Sequence, residues 1–322
     1  MQLFISVIIP TYNRSTILKD ALDSLSDLNY PSEDFEIIVV DNNSSDDTEL
    51  VSRDYINNHV NCFYYKEANL GLHNARHCGL KKSKGEILSF IDDDVLVEPT
   101  WLDGIAMGFS QGSDVVLVGG NAHPKFEADL PEWVELLWKI NLDGKYLSEY
   151  SLLEMGDEIK EISPHMVFGC NFSIRKATLV ALGGFHPDGF PSEDLRFRGD
   201  GESYLSNEIQ KSNGKAFFIP EASLYHRVDE SRLTVDYLKK RSYMQGISYS
   251  YSLIREKKYL GLYNKLNIGM ELFYGKCRAK LIRTEPFRSM QQAFFRGFSF
   301  HYNQAKSDAN LLNWILKNDY LD

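Results

Sequence analysis

The chain predicts an α/β layered fold, a mainly parallel sheet flanked by helices, with a helical C-terminal extension. Apolar runs rich in Ile and Val alternate with helical patterns through Gly120. Short polar clusters stand where several of those runs stop, and from Leu233 onward the text turns helical, basic and aromatic.

The runs "LFISVII" (Leu3–Ile9) and "FEIIVVD" (Phe35–Asp41) are continuous and β-branched, the pattern of strands covered on both faces. Between them, "STILKDALDSL" puts Ile17, Leu18, Ala21, Leu22 and Leu25 at helical spacing, with Ser15 as the cap. Strand, helix, strand is a βαβ unit, which implies parallel pairing and a right-handed crossover. "NCFYY" reads as a third strand, Leu72–Lys82 as a helix, "EILSFI" as a strand, Pro99–Ser110 as a helix and "DVVLVGG" as a strand. After Gly120 the rhythm breaks, and the stretch to Ile162 reads as loops and short helices. "HMVFGCNFSIRK" returns to a strand and is followed by a helix. "GESYLSNEIQKSNG" is a helix closed by Gly214, and "KAFFIP" is the final strand.

Composition bounds the class. Hydrophobic residues make up 43% and charged residues 25% of the 322, ordinary for a protein that buries a real core. No apolar run approaches the ~18–20 residues that span a bilayer. The start, "MQLFISVIIPTYN", lacks a basic lead and a small-residue cleavage site, so it is read as a strand rather than a signal peptide. Cys62, Cys78, Cys170 and Cys277 are scattered with no CxxC pair, which excludes a disulfide scaffold and a zinc cluster and points to a reducing, cytoplasmic setting. The net charge of −10 hides an asymmetry: Arg232–Arg296 holds 14 Lys and Arg against four acids, about +10, leaving about −20 for the remainder.

In open α/β sheets, ligands bind outside the carboxyl ends of the strands. "PTYN" (Pro10–Asn13), "DNNSSDD" (Asp41–Asp47) and the triplet Asp92-Asp93-Asp94 each follow a predicted strand. Any one is readable as a solvated turn; three at successive strand ends share a rim. Carboxylates there suit a hard dication, Mn²⁺ or Mg²⁺, bound together with substrate phosphates. Were the strand to run straight through the triplet, Asp92 and Asp94 would share one side and Asp93 would face away. No glycine-rich Lys-Ser/Thr loop cradles a phosphate, so basic side chains must assist, and Arg76 near a helix start is one.

At this point six blocks resemble family 2 glycosyltransferases, in the family's order. They are "SVIIPTYNR", "EIIVVDNNSSDDT", "NLGLHNARHCGL", "EILSFIDDDVLVEPTWL", "VFGCNFSIRKATLVALGGF" and "GDGESYLSNEIQKSNG…IPEASLYH", spanning Ser6 to about His226. The resemblance implies the GT-A fold, an inverting transfer from a nucleotide-diphosphate sugar and a catalytic domain over 1–228, with the helical, basic region at 229–322. By matching position, Pro10, Tyr12, Asn13 and Asp41 are the expected nucleoside pocket and Arg76 lies beside the nucleotide. His77 stands where the family's Asn is usual. Asp92 and Asp93 belong to the donor site, with Asp92 near the ribose; Asp94 is the expected metal ligand and His226, after the last predicted strand, completes the coordination. Gly169, Cys170 and Asn171 resemble the floor of the sugar pocket. The family's "GED" base block reads Gly201-Glu202-Ser203 here, preceded by Asp200, a "GDGE"-type variant. Glu202 takes the place of the family's Glu and is the chosen base, with Asp200 its substitute.

The implied reaction builds a surface glycan or polysaccharide on a glycan or lipid-linked acceptor. Trp133 and Trp138 read as core residues or as stacking platforms for an acceptor sugar. For the basic aromatic tail, three roles stand open. It packs on the catalytic domain as a lid, lies on the inner face of an anionic membrane as a peripheral contact, or forms a homodimer contact. No nucleic-acid motif supports its charge. A sugar nucleotidyltransferase and a non-catalytic nucleotide-sugar or glycan-binding module are the alternative functions. The first is opposed by the lack of a glycine-rich loop after strand one, the second by the retained triplet, Glu202 and His226.

Overall fold

The computed structural model describes residues 3–256, 270, 275 and 282–321. Within the tail read as helical, basic and aromatic, Tyr259, Leu262, Leu266, Met270, Phe273, Cys277 and Leu281 recur every three or four residues, with Lys258, Lys265, Lys276 and Lys280 off that stripe. Apart from Met270, these positions lie outside the described residues.

The first half builds as the alternation demands. β1 (Ile5–Thr11), α1 (Ser15–Leu25), β2 (Phe35–Asp41), α2 (Thr48–Asn58), β3 (Cys62–Lys66), α3 (Leu72–Lys82) and β4 (Ile87–Ile91) follow in order. β1 pairs in parallel with β2 and β4, and β2 with β3, so their carboxyl ends share an edge. All seven residues of β1 and of β2 are buried, which is why those runs are continuous rather than alternating. Ser15 is the first helical residue rather than the cap: Arg14 holds the N-cap position, and Asp46 accepts the Ser15 amide at 3.0 Å.

β4 stops at Ile91, and the acidic triplet turns into the short β5 (Val95–Val97), so the straight-strand expectation for Asp92–Asp94 does not hold. α4 (Trp101–Ser110) and β6 (Val115–Gly119) follow. The expectation of loops and short helices from Asn121 to Ile162 is corrected. β7 (Ala122–Phe126), β8 (Lys139–Ile140), β9 (Lys145–Leu147) and β10 (Leu152–Glu154) are strands, as is β11 (Lys160–Ile162), with one 3₁₀ segment at Glu132–Leu137. Strands of two to five residues are too short to show a period. β12 (Asn171–Arg175) inserts antiparallel between β4 and β6. Then come α5 (Lys176–Ala181), α6 (Glu202–Lys211) and β13 (Lys215–Phe218). α6 closes on Asn213, whose φ is 56°, rather than on Gly214, whose amide bonds the Ile209 carbonyl at 3.0 Å.

The last strand is β14 (Leu224–Val228), not "KAFFIP", and His226 sits within it rather than after it. β14 joins β5 antiparallel and β7 in parallel. The described strands thus form two sheets: eight strands in the order β11-β13-β6-β12-β4-β1-β2-β3, and six in the order β5-β14-β7-β10-β9-β8. Phe90, Phe172 and Phe185 meet in the main core, with ring centroids 4.9 and 5.8 Å apart about Phe185. Each such fully buried side chain contributes about 1.5–3 kcal/mol. Trp133 and Trp138 pack against a second cluster around Tyr150 and Leu238.

α7 (Val235–Glu256), α8 (Phe287–Ser307) and α9 (Ala309–Leu316) form the extension. α7 and α8 cross at Gly246 and Gly297, where a Cβ would overlap the Phe294 and Tyr243 carbonyls. The end of the chain returns to the α/β body: Trp314 donates to the Phe197 carbonyl at 2.9 Å, and the Tyr320 amide to that of Gly183 at 3.2 Å.

Candidate active site

Because β1 and β4 are parallel neighbours, the acidic turn after β4 lies beside Thr11 and Arg14 after β1. Asp93 faces that way, accepting from Thr11 Oγ1 at 2.7 Å and Arg14 Nη1 at 2.6 Å. Asp94 faces the other sheet. Its Oδ2 accepts from Arg14 Nη2 at 2.9 Å and Arg232 Nη1 at 3.0 Å, and its Oδ1 lies 3.1 Å from His226 Nε2. The β14–β5 register sets His226 opposite Val95, which delivers the ring to Asp94. His226 Nδ1 is 2.7 Å from the Tyr150 carbonyl, which can only accept; Nδ1 therefore carries a proton, and Nε2 is the nitrogen presented to the site.

Asp92, Asp94 and His226 each offer one ligand atom, and these atoms lie within 4.8 Å of one another. Two carboxylates and an oriented imidazole form a carboxylate-dominated donor set that fits Mn²⁺ or Mg²⁺. Burial would raise Asp94, but the hydrogen bond and charge of His226, with Arg14 and Arg232, hold it well below the usual carboxylate range. Asp92 is raised, by burial first and then by the Asp94 charge. Burial pushes Asp93 up to about 7 against the opposing pull of Arg14.

On the far side of Asp92, Arg76 is 2% exposed, stacked 4.8 Å from the Phe185 ring. Its guanidinium faces Asp92 at 3.8 Å, Asp188 at 3.7 Å and Glu202 at 3.6 Å, and donates to the Gly169 carbonyl at 3.3 Å. Its Nε and Nη1 have no hydrogen-bond acceptor. Burial lifts Asp188 to about 6, with Arg76 pulling the other way. Glu202 opens α6 behind Gly201, whose φ of 55° and ψ of −126° suit glycine alone. The Glu202 side chain is 35% exposed, whereas Asp200 is 8% exposed with both oxygens engaged, by His186 Nδ1 and Ser252 Oγ at 2.6 Å each.

Three clefts meet at Asp92. One of about 390 Å³ is lined by Pro10, Tyr12, Arg14, Asn42 and Asp93. A second, about 400 Å³, holds Arg76, Gly169, Cys170, Asp188, Asp200 and Glu202. The third, about 420 Å³, holds Asp94, His226, Arg232 and Arg241. Asn13 and Asp41 lie off the first cleft and shape its neighbouring loop: Asp41 accepts from Tyr64 Oη and the Ser44 amide, and Asn13 from the Ser45 amide, all at 2.7 Å. Asn171 turns away from the sugar-side cleft, accepting from Trp101 Nε1 at 3.1 Å and donating to the Ala222 carbonyl at 2.8 Å. Sequence reasoning passed over Arg14, Asn42, Asp188, Arg198, Arg232 and Arg241. For Arg14 the signal was its place directly after "PTYN", and for Asn42 its place in the cluster "DNNSSDD"; the others have no local pattern.

The model of glycosyl transferase family 2 matches residues 6–179, more than half of the chain. The chain belongs to glycosyl transferase family 2. Its fold is the mixed α/β GT-A fold with a C-terminal helical extension. A mannosyltransferase of Pyrobaculum calidifontis, solved with GDP-mannose and Mn²⁺, superposes with a TM-score of 0.60 at 18% identity, covering 95% of this chain and 88% of that one. The glucosyl-dolichyl phosphate glucuronosyltransferase of Haloferax volcanii is 22% identical over 248 residues, 76% of this chain and 75% of that protein. Glycosyltransferase AglE of the same organism is 35% identical over 119 residues, 37% of this chain and 39% of AglE. This family 2 chain thus spans well under half of AglE.

Proposed function

We propose that the protein moves a sugar from a nucleotide-diphosphate donor to a hydroxyl of a glycan or lipid-linked acceptor, with inversion. The observation that carries this reading is the convergence of Asp92, Asp94 and His226 within 4.8 Å, with Glu202 in the adjoining cleft. A dication held by those three residues would supply positive charge at the departing diphosphate. Tyr12, 48% exposed on the wall of the first cleft, is placed to stack on the base, beside Pro10. Arg14 and Arg232 now neutralise Asp94, and both line the third cleft, where a diphosphate would take over their donors. Arg76, with two unsatisfied N–H groups, anchors the negative cluster between donor and base.

Glu202 takes the acceptor proton as the acceptor oxygen bonds the anomeric carbon and the sugar–diphosphate bond breaks. Asp200, closed off by His186 and Ser252, serves as support within the "GDGE" variant rather than as the base. A lipid-linked acceptor is supported by the Haloferax volcanii relative, named for transfer to glucosyl-dolichyl phosphate. No helix among the described residues is long and apolar enough to cross a membrane. We read residues 1–228 as the catalytic unit and 229–322 as a lid that also meets the acceptor.

The test is donor hydrolysis with Mn²⁺ over a panel of nucleotide sugars. Wild type should release nucleoside diphosphate, and Asp94→Ala should lose both release and Mn²⁺ binding by calorimetry. Glu202→Gln should keep donor affinity while turnover drops by about 10²–10⁴-fold. A donor-binding chain that releases no diphosphate with any sugar would instead be a binding module.

A further inference from the structure

The cleft around Glu202 carries two arginines that enter no ion pair among the described residues. The acids of the same cleft make their direct contacts with other groups. Asp92 belongs to the cation cluster. Asp188 and Glu202 face Arg76, and Asp200 is held by His186 and Ser252. Glu149 accepts from its neighbour Ser148 at 3.2 Å. Two arginines on the same walls are left over. Arg198 donates through Nε to Ser248 Oγ at 3.2 Å and, among the described residues, enters no ion pair. Arg241 makes neither a hydrogen bond nor an ion pair among the described residues. Both are half-buried. Burial lowers the Arg198 pKa, the charge of Asp188 pulls it back in part, the like charge of Arg241 lowers it again, and Glu202 and Asp200 add smaller opposing pulls.

Arg241, Gln245 and Ser248 stand at i, i+4 and i+7 on α7, one helix face turned to the cleft. Ser248 donates its hydroxyl hydrogen bond to the Gly199 carbonyl at 2.6 Å and so is fixed as the acceptor that seats Arg198 against this face. Partly desolvated guanidinium groups that feel each other's charge and have no carboxylate in direct contact are costly, and a planar or tetrahedral oxyanion is the group their forked donors match. We propose that the acceptor carries a phosphate or carboxylate close to the hydroxyl that is glycosylated, and that Arg198, Arg241 and Gln245 bind it. This rests on the glycosyltransferase reading and names its acceptor class.

Calorimetry on the full chain tests it, with Mn²⁺ and whichever of UDP, GDP and dTDP binds tightest filling the donor side. Glucose 1-phosphate and glucuronate should bind at least tenfold more tightly than glucose. Arg198→Gln and Arg241→Gln should each erase at least fivefold of that preference with nucleotide affinity unchanged, and Arg198→Lys and Arg241→Lys should restore part of it. Should Arg198→Gln fail to fold, the Arg241 pair decides alone. Equal binding of charged and neutral sugars, or a preference that survives both Gln variants, overturns the proposal. So does weaker nucleotide binding in Arg241→Gln, which would give that arginine to the donor diphosphate. An Arg-dependent preference for UDP-glucuronate over UDP-glucose with no preference among the acceptor sugars would move the anion to the donor and overturn it as well. Failure of all three nucleotides to bind counts against the glycosyltransferase reading, while the same sugar titration on the unloaded chain still decides this one.

Discussion

Glu202 and Asp200, two residues apart, sit in opposite surroundings. Glu202 reaches into the cleft with Arg76 as its one ion-pair partner among the described residues, whereas Asp200 spends both oxygens on His186 and Ser252. His186 in turn stacks on Tyr204 of α6 at 3.5 Å and meets Tyr251 and Tyr320 edge-on, so the pair links the start of α6 to the extension. Asp200→Asn should therefore lower turnover by about tenfold with the donor KM intact, whereas Glu202→Gln should cost about 10²–10⁴. A loss of about 10²–10⁴ in Asp200→Asn alone, with Glu202→Gln nearly as active as wild type, would make Asp200 the base. Asp94 invites a similar comparison. With Arg14 and Arg232 on its Oδ2, replacing either arginine by Gln should strengthen Mn²⁺ binding to the nucleotide-free chain, measured by calorimetry, because a like charge leaves the cation's neighbourhood.

At the scale of elements, the α7–α8 crossing depends on two missing side chains. Gly246 and Gly297 let each helix lie on the other's backbone, and an added Cβ meets main-chain carbonyls that cannot swing aside as a side chain would. Gly246→Ala and Gly297→Ala should each destabilise the chain by about 1–3 kcal/mol, read from urea unfolding. Since Arg241, Gln245 and Ser248 ride on α7, the same variants should weaken acceptor-side binding more than nucleotide binding. β14 makes the complementary point. Its burial alternates, with Leu224, His226 and Val228 inside and Tyr225 and Arg227 outward, so a period of two was present in the sequence. Five residues after a proline-bearing turn were too few for that period to stand out.

Across the whole molecule, charge and burial set the response to pH. His301 on α8 is fully buried, bonded through Nδ1 to Ser250 Oγ of α7 at 2.9 Å, with Nε2 unpartnered. Burial lowers its pKa to about 4. The unfolded chain takes up a proton below the ordinary histidine value of about 6.5, while the folded chain does not until near 4, so stability is lost as pH falls through that window. Against His301→Gln, wild type should lose about 2 kcal/mol between pH 7 and pH 4.5, and the two curves should run parallel above pH 7. Parallel curves throughout would mean that the ring is protonated in the fold. Between body and extension, Arg232 at the entry to α7 pairs with Asp94. Trp314 and Tyr320 add hydrogen bonds to main-chain carbonyls of the body, at Phe197 and Gly183.

Most of the strand–helix order through Gly120 and the acids at the strand ends follow from the sequence alone, because periodicity and turn chemistry are carried by residues adjacent in the chain. α2 and the three-residue β5 were not read from it. The resemblance added a family, which the family match bears out. Tertiary structure alone decided which charged groups meet. His226 reaches Asp94 across 132 residues and Arg232 across 138, through a sheet register and a helix entry that no local pattern announces. It also decided that Asp200 is caged, that Asp41 and Asn171 hydrogen-bond to neighbouring groups, and that Arg198 and Arg241 enter no ion pair among the described residues. Each depends on how buried charges are shared among segments far apart in the chain, and only packing determines that distribution.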